Sequence, residues 1–579
     1  MSRRILFFSP YLPWIPHTLW EATLAYALGE RGHTVQFVTC QGLPNCGVNP
    51  LRLYQSEDRC RQCRTLAGEM LPNAGHRLEP MQAYLRPEEP AAIAKWTESL
   101  PVEALRGAEY AGLPLGAWAW PEMLNYWHSP EPDLTRPEVA QTYRDFLMGA
   151  ATAAVCLPRA FDAHRPDILV TLNGAFFLHR VAVELALARG LRVITHERGL
   201  LDNTLTLNAN AGIWDQGRFD RIWSAWKETP LTVEALRAVE RLLSQRRRGQ
   251  NMGWWAFSPS AQDLKQVRAA ANLPDQPMAL LCTSSECEAS MASRRAPVSQ
   301  QEWIEATVAW FAAHPENTLV IRVHPHEAEY AKVDDRMLRR YRALKAAAPP
   351  NVRLILPEEK VSTYSLMDMA TAGLTYGSTT GLEMACQGLP LVHAGVGFYK
   401  GCGFTREVDS VADIPRLLAE VLAAPRSLET QRLAYRFAYH YFIGQSVPFR
   451  KVAVAEDFVQ AEIAYESTAE LAPGRDRELD RMVSYILGEA ELYPPPSPLH
   501  ALQSQDAENR FFAEQRVAGL LEAARHNPER TDLLVHAASL LRDIGLVSDA
   551  IAVYNAALQR DPAAPDAWEG LVAAQSAWR

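Results

Sequence analysis

Two blocks of alternating strand and helix patterns constrain the fold of this chain more than any other feature of its sequence. In the first block, the apolar run RILFFS at 4–9 precedes an amphipathic stretch at 17–32, and a second apolar run follows at 33–40. Apolar residues at helical spacing between two buried runs are typical of a strand–helix–strand unit with parallel strands. The pattern then predicts three more elements: a strand at 167–172, a helix near 176–189 and a strand at 191–195. The first block therefore predicts a doubly wound parallel sheet.

The second block repeats this alternation after a polar, arginine-rich segment at about 244–276. Its strands are predicted within PMALLCTSS, NTLVIRVHPHE, NVRLILPEE, AGLTY and LPLVHAG. A chain of 579 residues is too long for one hydrophobic core, so we assign the blocks to two Rossmann-like α/β domains that face each other across a cleft. The first is predicted over 1–250, with a proline-rich insertion at about 64–135, and the second over 275–465.

The last part of the chain has a different pattern. Asn-Pro at 527–528 recurs as Asp-Pro at 561–562, a spacing of 34 residues, with small residues such as Gly545 between them. This matches the helix–turn–helix unit of tetratricopeptide repeats, in which small residues let paired helices pack closely. We predict a small all-α domain of such repeats at 511–579, after a linker at 466–510. The repeats in turn predict a protein partner.

Charge and hydropathy exclude two classes of protein. The formal net charge is −9, so the chain lacks the electrostatic footprint of a nucleic-acid-binding protein. Pro10 and Pro13 interrupt the apolar start, and no apolar stretch reaches the roughly 20 residues that span a bilayer. We therefore expect a cytoplasmic protein. The basic run RRRG at 246–249 is interpreted as a solvated linker, with a contact at the inner face of the cytoplasmic membrane as the alternative.

Four of the nine cysteines lie close together in the sequence: Cys40, Cys46, Cys60 and Cys63. In a cytosolic chain such a cluster indicates metal or redox chemistry more than disulfide bonds. Four thiolates can form a tetrahedral zinc site, and the spacing of Cys60 and Cys63 is typical of half of one. Two alternatives stay open: a structural zinc ion, or free thiols in an irregular loop.

The segment GSTTGLEMACQGLPLVHAG at 377–395 predicts a ligand site. Its helix begins directly after a strand of the second domain, where unpaired backbone N–H groups attract phosphate. The beginning of this helix combines hydroxyl groups, a position without a side chain and one acid: Ser378, Thr379, Thr380, Gly381 and Glu383. The glycine would let a ligand approach the backbone, and the acid can accept hydrogen bonds from sugar or ribose hydroxyl groups. The alternative is an ordinary capped helix.

His324 ends another strand of the second domain, where an imidazole can donate to a phosphate or stabilise a departing one. Arg322 lies two residues earlier on the same strand face and can add positive charge. A lone histidine at a strand end is usually structural, and that alternative stays open. His326 follows two positions later.

Glu197 ends a strand of the first domain, within VITHERGLLDN at 193–203. A carboxylate in that position can act across the cleft as a general base or nucleophile, unless Arg198 holds it in a salt bridge. Asn173 follows the preceding strand, and we expect it to line the same side of the cleft as Glu197. His17, just beyond the first strand, is either a helix cap or a base that reaches the acceptor.

Together these motifs resemble those of GT-B glycosyltransferases, most closely the bacterial capsule polysaccharide biosynthesis family with its Kdo-type and sialyltransferase-like members. The resemblance rests on His-Pro at 324–325, YGSTTGLEMACQGLPLV at 376–392, GFYKGCGFT at 397–405 and HERG at 196–199. It implies a nucleotide-activated sugar donor in the second domain, with the histidine and the Ser/Thr loop on the phosphates and the acid of the following helix on the ribose.

The resemblance implies transfer of that sugar to a glycan or protein acceptor, in bacterial capsule or lipopolysaccharide biosynthesis or in protein glycosylation. Glu197 or His17 would take the proton of the acceptor hydroxyl, while His324 would stabilise the leaving phosphate. We expect no catalytic metal, since no Asp-x-Asp stands at a strand end. The alternatives are a sugar-nucleotide epimerase of the same fold and a non-catalytic scaffold of a glycan-assembly complex.

Overall fold

The computed structural model of the chain describes residues 2–40, 42–47, 60, 61, 63–65, 77–250, 258–274, 276–288, 296–456, 458, 460–494, 496 and 498–578. Its strands are β1 Arg4–Phe8, β2 Thr34–Thr39, β3 Arg77–Pro80, β4 Ile168–Leu172, β5 Arg192–Arg198, β6 Thr204–Ala209, β7 Met278–Cys282, β8 Thr318–Arg322, β9 Val352–Ile355, β10 Ala372–Thr375, β11 Leu391–His393, β12 Arg406–Glu407, β13 Val447–Pro448, β14 Val452–Val454 and β15 Ala461–Ile463. Its α-helices are α1 Ile15–Gly29, α2 Glu89–Ser99, α3 Leu115–Trp127, α4 Pro137–His164, α5 Phe177–Ala188, α6 Gln216–Trp226, α7 Val233–Arg247, α8 Leu264–Ala270, α9 Gln300–Ala312, α10 Glu327–Tyr330, α11 Arg336–Ala347, α12 Thr363–Met369, α13 Thr379–Cys386, α14 Ile414–Ala423, α15 Leu428–Ala438, α16 Arg477–Leu487, α17 Pro498–His526, α18 Thr531–Asp543, α19 Val547–Arg560 and α20 Pro565–Trp578.

The first sheet has seven strands in the order β3-β2-β1-β4-β5-β6-β13. The strands from β3 to β5 are parallel, and β6 and β13 are added antiparallel. In the register of the sheet, Ile5 lies opposite both Val35 and Ile168. The strand order reverses between β1 and β4, and ligands of such sheets bind beyond the carboxyl ends of the strands at this point.

The second sheet has six parallel strands in the order β9-β8-β7-β10-β11-β12. Numbered from its own first strand, this is the order of a dinucleotide-binding Rossmann sheet, with the reversal between β7 and β10. The loops that follow β7, β8 and β10 therefore open at one edge. Two such sheets in one chain confirm the predicted class of two Rossmann-like α/β domains.

Helices cover both faces of each sheet, which buries the strands as a parallel sheet requires. In β1, Ile5 and Phe7 pack towards α1 and α16, while Leu6 and Phe8 pack towards α4 and α5. Among the described residues, α4 alone is long and apolar enough to cross a membrane, and 67% of its most apolar window is buried inside the protein. Burial of this kind is typical of a core helix.

The chain returns to the first domain before it enters the C-terminal helices. β13 pairs with the edge strand β6, and the apolar face of α16, with Met482 and Ile486, packs on the α1 side of the first sheet. The return therefore begins before residue 465, where the sequence predicts the end of the second domain. The physical reason is that this segment covers an exposed strand edge and an apolar face of the first domain.

The C-terminal helices α17 to α20 pack against one another in sequence around a core of small and medium-sized side chains. Gly570 on α20 shows why small residues are needed, because a Cβ atom there would lie 2.3 Å from the ring of Tyr554 on α19. The first of these helices also contacts α7 and α15 of the second domain. The helical repeats are thus anchored to the α/β part of the protein.

A buried ion pair forms part of this anchor, and we expect it to be essential for stability. The carboxylate of Glu508 accepts hydrogen bonds from Arg436 at 2.6 and 3.2 Å and from the backbone N–H of Leu231 at 2.6 Å, and its side chain is fully buried. Arg436→Met leaves this carboxylate without a counter-ion, so the free energy of unfolding should fall by about 3–5 kcal/mol. Denaturant unfolding of the full chain measures the loss.

The control is Asp532→Asn, which removes the solvent-exposed pair between Asp532 and Arg530. This variant should unfold almost like the wild-type chain, since exposed pairs contribute little. Equal losses in the two variants would contradict an anchoring role for the buried pair.

Candidate active site

The two candidate catalytic side chains of the first domain lie in contact. His17 is on the first turn of α1 and Glu197 is near the end of β5; Nε2 of the histidine lies 3.3 Å from Oε1 of the glutamate. The histidine side chain is 4% exposed and the glutamate side chain 12%. Both elements leave the same edge of the sheet, which explains how residues so distant in sequence meet.

Glu197 is held in place by two hydrogen bonds. The side-chain amide of Asn173 donates to Oε2 at 3.0 Å, and the backbone N–H of Arg198 donates to Oε1 at 3.0 Å. Asn173 is fully buried, and its own oxygen accepts from the N–H of Ala175 at 2.9 Å. The guanidinium of Arg198 lies over the ring of Phe458, 4.3 Å from its centroid. The structure thus brings together His17, Asn173, Glu197 and Arg198.

Burial sets the protonation of this pair. It lowers the pKa of His17 well below the ordinary value, and the nearby His196 adds to the effect. It also raises the pKa of Glu197, against the opposing effect of the Asn173 hydrogen bond. At neutral pH the imidazole of His17 is therefore uncharged and can accept a proton, while the adjacent carboxyl group can stabilise the imidazolium that forms.

A second histidine–glutamate pair lies directly behind the first. Nε2 of His196 is 2.7 Å from Oε1 of Glu21, and the other oxygen of that glutamate accepts from the hydroxyl of Ser9. All three side chains are buried. Since these contacts join β5 to α1 and to the end of β1, they fix His17 relative to Glu197.

In the second domain, His324 follows β8 and is held through Nδ1. This nitrogen lies 2.9 Å from the hydroxyl oxygen of Ser285 and 3.3 Å from the backbone nitrogen of His326. Because the backbone N–H donates to Nδ1, the neutral ring carries its proton on Nε2. Burial lowers the pKa of His324 to about 4, so at neutral pH the ring is a neutral hydrogen-bond donor. Such a donor suits a phosphate oxygen.

The helix α13 begins with the hydroxyl groups that the sequence indicates. Ser378 is the N-cap, and its oxygen accepts from the backbone N–H of Thr380 at 3.3 Å and from the hydroxyl of that residue at 2.9 Å; Thr379 opens the helix. The space beside Gly381 is filled, because a Cβ atom there would lie 2.2 Å from the hydroxyl oxygen of Tyr399. The expectation that this glycine lets a ligand approach is therefore wrong: the glycine makes room for the tyrosine.

Glu383 is 3% exposed, and Arg246 holds its Oε1 through Nε at 2.8 Å and Nη2 at 2.7 Å. Its Oε2 has no hydrogen-bond partner among the described residues. The glutamate lines a cavity of about 680 Å³ together with Arg247 and Tyr364. The cavity is separate from the serine and threonine hydroxyl groups at the start of α13, so the structure does not bring all the predicted donor-binding residues into one pocket.

The basic run at 246–249 is not a solvated linker, which corrects the prediction for it. Arg246 pairs with Glu383, and Arg247 pairs with Asp368 at 2.5 Å. The end of α7 is thus part of the wall of the second domain, and two of the three arginines are already engaged.

Arg322 lies beneath the strand ends. It is 3% exposed, and its Nη1 donates to the backbone carbonyl of Leu356 at 2.7 Å, which ties β8 to the end of β9. Its Nε has no hydrogen-bond partner among the described residues. From this position below the sheet edge, the positive charge of Arg322 adds to the effect of burial in lowering the pKa of His324.

A cavity of about 570 Å³ lies between the two domains. Its lining includes Asn173, the residue that holds Glu197, and two partly buried tryptophans, Trp118 and Trp214. The second domain contributes Val396, Gly397 and Lys400. The cavity therefore extends from Asn173, next to Glu197, to residues of the second domain.

The four clustered cysteines lie near the loop after β1. Gln82 and the backbone N–H of Gly42 donate to Sγ of Cys40. Burial raises the pKa of Cys40 to about 11 and that of Cys63 to about 12, and in both cases the nearby charges of the other thiols, including Cys46 and Cys60, add to the effect. Among the described residues, no three of these sulfur atoms lie within 4.8 Å of one another. The zinc site stays a prediction.

Three residues that shape the site are missing from the sequence prediction: Glu21, Arg246 and Ser285. Glu21 had a signal, because an acid four residues after His17 lies on the same apolar face of α1. Ser285 also had one, since it belongs to a hydroxyl-rich strand end like that at Ser378. The sequence offers no local signal for Arg246, whose partner is 137 residues away.

Comparisons with known proteins confirm the predicted tetratricopeptide repeats and find solved structures that are similar to the chain. The tetratricopeptide repeat family matches residues 531–574. No curated protein matches the chain in sequence. A solved structure of the beta Kdo 2,4 transferase of Thermosulfurimonas dismutans KpsC is similar with 17% identity and a TM-score of 0.34, over 52% of this chain and 86% of that one.

Two further solved structures each match about three quarters of the chain. The spinosyn rhamnosyltransferase SpnG has 15% identity and a TM-score of 0.25, over 76% of this chain and 95% of that one. A Methanocaldococcus jannaschii UDP-GlcNAc 2-epimerase has 13% identity and a TM-score of 0.27, over 75% and 98%. These values are too low to decide the activity, so the proposal below rests on the geometry of the site.

Glu122 on α3 provides a test of how strongly burial shifts the pKa of a carboxyl group in the first domain. It is 4% exposed, and burial raises its pKa from 4.5 to about 8. Between these values the folded chain keeps a proton that the unfolded chain releases, so stability is lost as the pH rises, by about 1.4 kcal/mol per pH unit. Glu122→Gln removes this loss.

The free energy of unfolding of the Glu122→Gln variant, relative to wild type, should therefore increase between about pH 5 and about pH 7.5. Denaturant unfolding at the two pH values measures this difference. Glu98→Gln, a change at an exposed position of α2, should show the same difference at both. A pH-independent effect of Glu122→Gln would show that the carboxyl group is not held protonated by burial.

Proposed function

We propose that the chain is a glycosyltransferase that moves a sugar from a nucleotide-activated donor to a glycan or protein acceptor. The observation that carries the proposal is the buried pair of His17 and Glu197, 3.3 Å apart, at the point where the strand order of the first sheet reverses. A neutral imidazole beside a carboxyl group is an arrangement that deprotonates a hydroxyl nucleophile.

In the proposed reaction, His17 accepts the proton of the acceptor hydroxyl as that oxygen attacks the anomeric carbon of the donor. Glu197 stabilises the imidazolium that results, and Asn173 keeps the carboxylate oriented. The alternative within the same pair is that Glu197 itself acts as base or nucleophile. In either case the bond from the anomeric carbon to the donor phosphate breaks, and the nucleotide leaves with the negative charge.

The second domain would bind that nucleotide. His324 is placed to donate from Nε2 to a phosphate oxygen, and Ser378, Thr379 and Thr380 surround the positive end of α13. These groups stabilise the charge that develops on the leaving phosphate, and we propose that no catalytic metal is needed for this step. Glu383 stays outside this phosphate site, because it lines a separate cavity and Arg246 holds its Oε1.

We assign this transfer to surface polysaccharide biosynthesis or protein glycosylation in the bacterial cytoplasm, with the tetratricopeptide repeats holding a protein partner. The repeats support a proteinaceous partner because such arrays present extended binding surfaces. Capsule or lipopolysaccharide precursors and proteins are both candidate acceptors.

The first experiment is a thermal-stability screen of the full chain with cytidine, guanosine and uridine nucleotides. A nucleotide at 100 times its dissociation constant adds about 2.7 kcal/mol. His324→Ala should weaken binding of that nucleotide by about tenfold to a hundredfold, because a hydrogen bond to a charged group contributes about 1.5–3 kcal/mol. Calorimetry measures the change.

His314→Ala is the matched control, since this histidine stacks on Trp310 of α9, away from the strand ends. It should bind the nucleotide like wild type. Stabilisation by no nucleotide, or equal binding by His324→Ala, would contradict the assignment. With the nucleotide known, product analysis with and without acceptor separates transfer from epimerisation, because an epimerase alters the donor without any acceptor.

A further inference from the structure

Glu288, His324 and His326 form a cluster of metal-binding side chains at the ends of β7 and β8. One carboxylate oxygen and one ring nitrogen from each histidine all lie within 4.8 Å of one another. Oε1 of Glu288 is 3.6 Å from Nδ1 of His326, and the two ring centroids are 5.7 Å apart. In a tetrahedral zinc site with such ligands, neighbouring ligand atoms lie about 3.4 Å apart. Small side-chain rotations would therefore complete the geometry.

The surroundings of this cluster favour a cation. One more carboxyl group, that of Glu327, lies close enough to Glu288, and also to Glu286, for their negative charges to repel it. Glu327 is 7% exposed, so water screens this repulsion poorly. A cation bound to Glu288 would offset it.

We propose that Glu288, His324 and His326 bind a divalent transition-metal ion of the Zn²⁺ type. Two imidazoles and one carboxylate are ligands that suit zinc and its neighbours, whereas Mg²⁺ and Ca²⁺ prefer sites made of oxygen atoms alone. Three protein ligands leave a coordination position for water or for an oxygen of a substrate. Tyr330, whose hydroxyl oxygen is 3.4 Å from Nδ1 of His326, supports that ring from the next turn of the chain.

This site is independent of the cysteine cluster, and His324 is the one ligand that it shares with the proposed phosphate contacts. Glu288 and His326 are not among the residues assigned to the donor or the acceptor, so their substitution tests the metal site alone. Glu288→Gln should lose metal binding and keep the stabilisation by nucleotide. Failure of the metal proposal and failure of the proposed function are thus distinguishable.

The experiment titrates Co²⁺ into the full chain carrying Cys60→Ser and Cys63→Ser, without nucleotide. Co²⁺ reports its ligands by absorption, because thiolate ligands add a strong near-ultraviolet charge-transfer band that nitrogen and oxygen ligands do not. We expect one bound ion with visible ligand-field bands and without the thiolate band. Zn²⁺ should displace it, in accordance with the general order of metal affinities.

In the same background, Glu288→Gln and His326→Ala should each weaken Co²⁺ binding by at least about a hundredfold, since loss of even an outer-shell partner costs about 10–100-fold. Thermal unfolding of each variant verifies that it is folded. Glu329→Gln, at an exposed carboxylate on α10, should leave Co²⁺ binding unchanged. Absence of Co²⁺ binding in the background chain, or equal binding in the folded Glu288→Gln and His326→Ala variants, would overturn the proposal.

Discussion

Parallel strand pairing is the constraint on which the rest of this structure depends. Parallel strands all leave their sheet at the same edge, so the loops that follow them meet there. In the first domain this places His17 3.3 Å from Glu197, and in the second it places Ser285 2.9 Å from His324. The chemical groups are therefore gathered at two sheet edges, and a cavity lined by both domains lies between the domains.

Burial gives the first of these edges its chemical character. Two histidine–glutamate pairs are stacked there, His17 with Glu197 and His196 with Glu21. Desolvation lowers the pKa of His17 and raises that of Glu197, and so the outer imidazole stays neutral until a proton arrives. Nδ1 of His17 and Nδ1 of His196 have no hydrogen-bond partner among the described residues. Unpartnered buried groups of this kind cost stability, and this cost agrees with the proton-accepting role that we propose for the site.

Hydrophobic periodicity was sufficient to predict both sheets, and the strand-end rule was sufficient to place His17, Glu197 and His324 at the sheet edges, while their roles stay predictions. The rest depends on contacts between distant segments. The ion pair of Arg246 and Glu383 joins residues 137 positions apart, and a basic run in isolation looks solvated. Likewise the absence of a side chain at Gly381 makes room for Tyr399 rather than for a ligand, and only the packed structure reveals this contact. Local patterns place residues at an edge, but tertiary packing decides which of them remain available.

The central claim is that His17 and Glu197 act as one proton-accepting unit in sugar transfer, and a double-mutant cycle on the acceptor-dependent turnover of the donor tests it most directly. His17→Ala and Glu197→Gln should each lower kcat by at least about a hundredfold, the range of general base catalysis, with nucleotide binding unchanged. The double variant should be no slower than the slower single variant, since residues that act as a unit are strongly non-additive. Additive losses, or wild-type turnover in either single variant, would contradict the account.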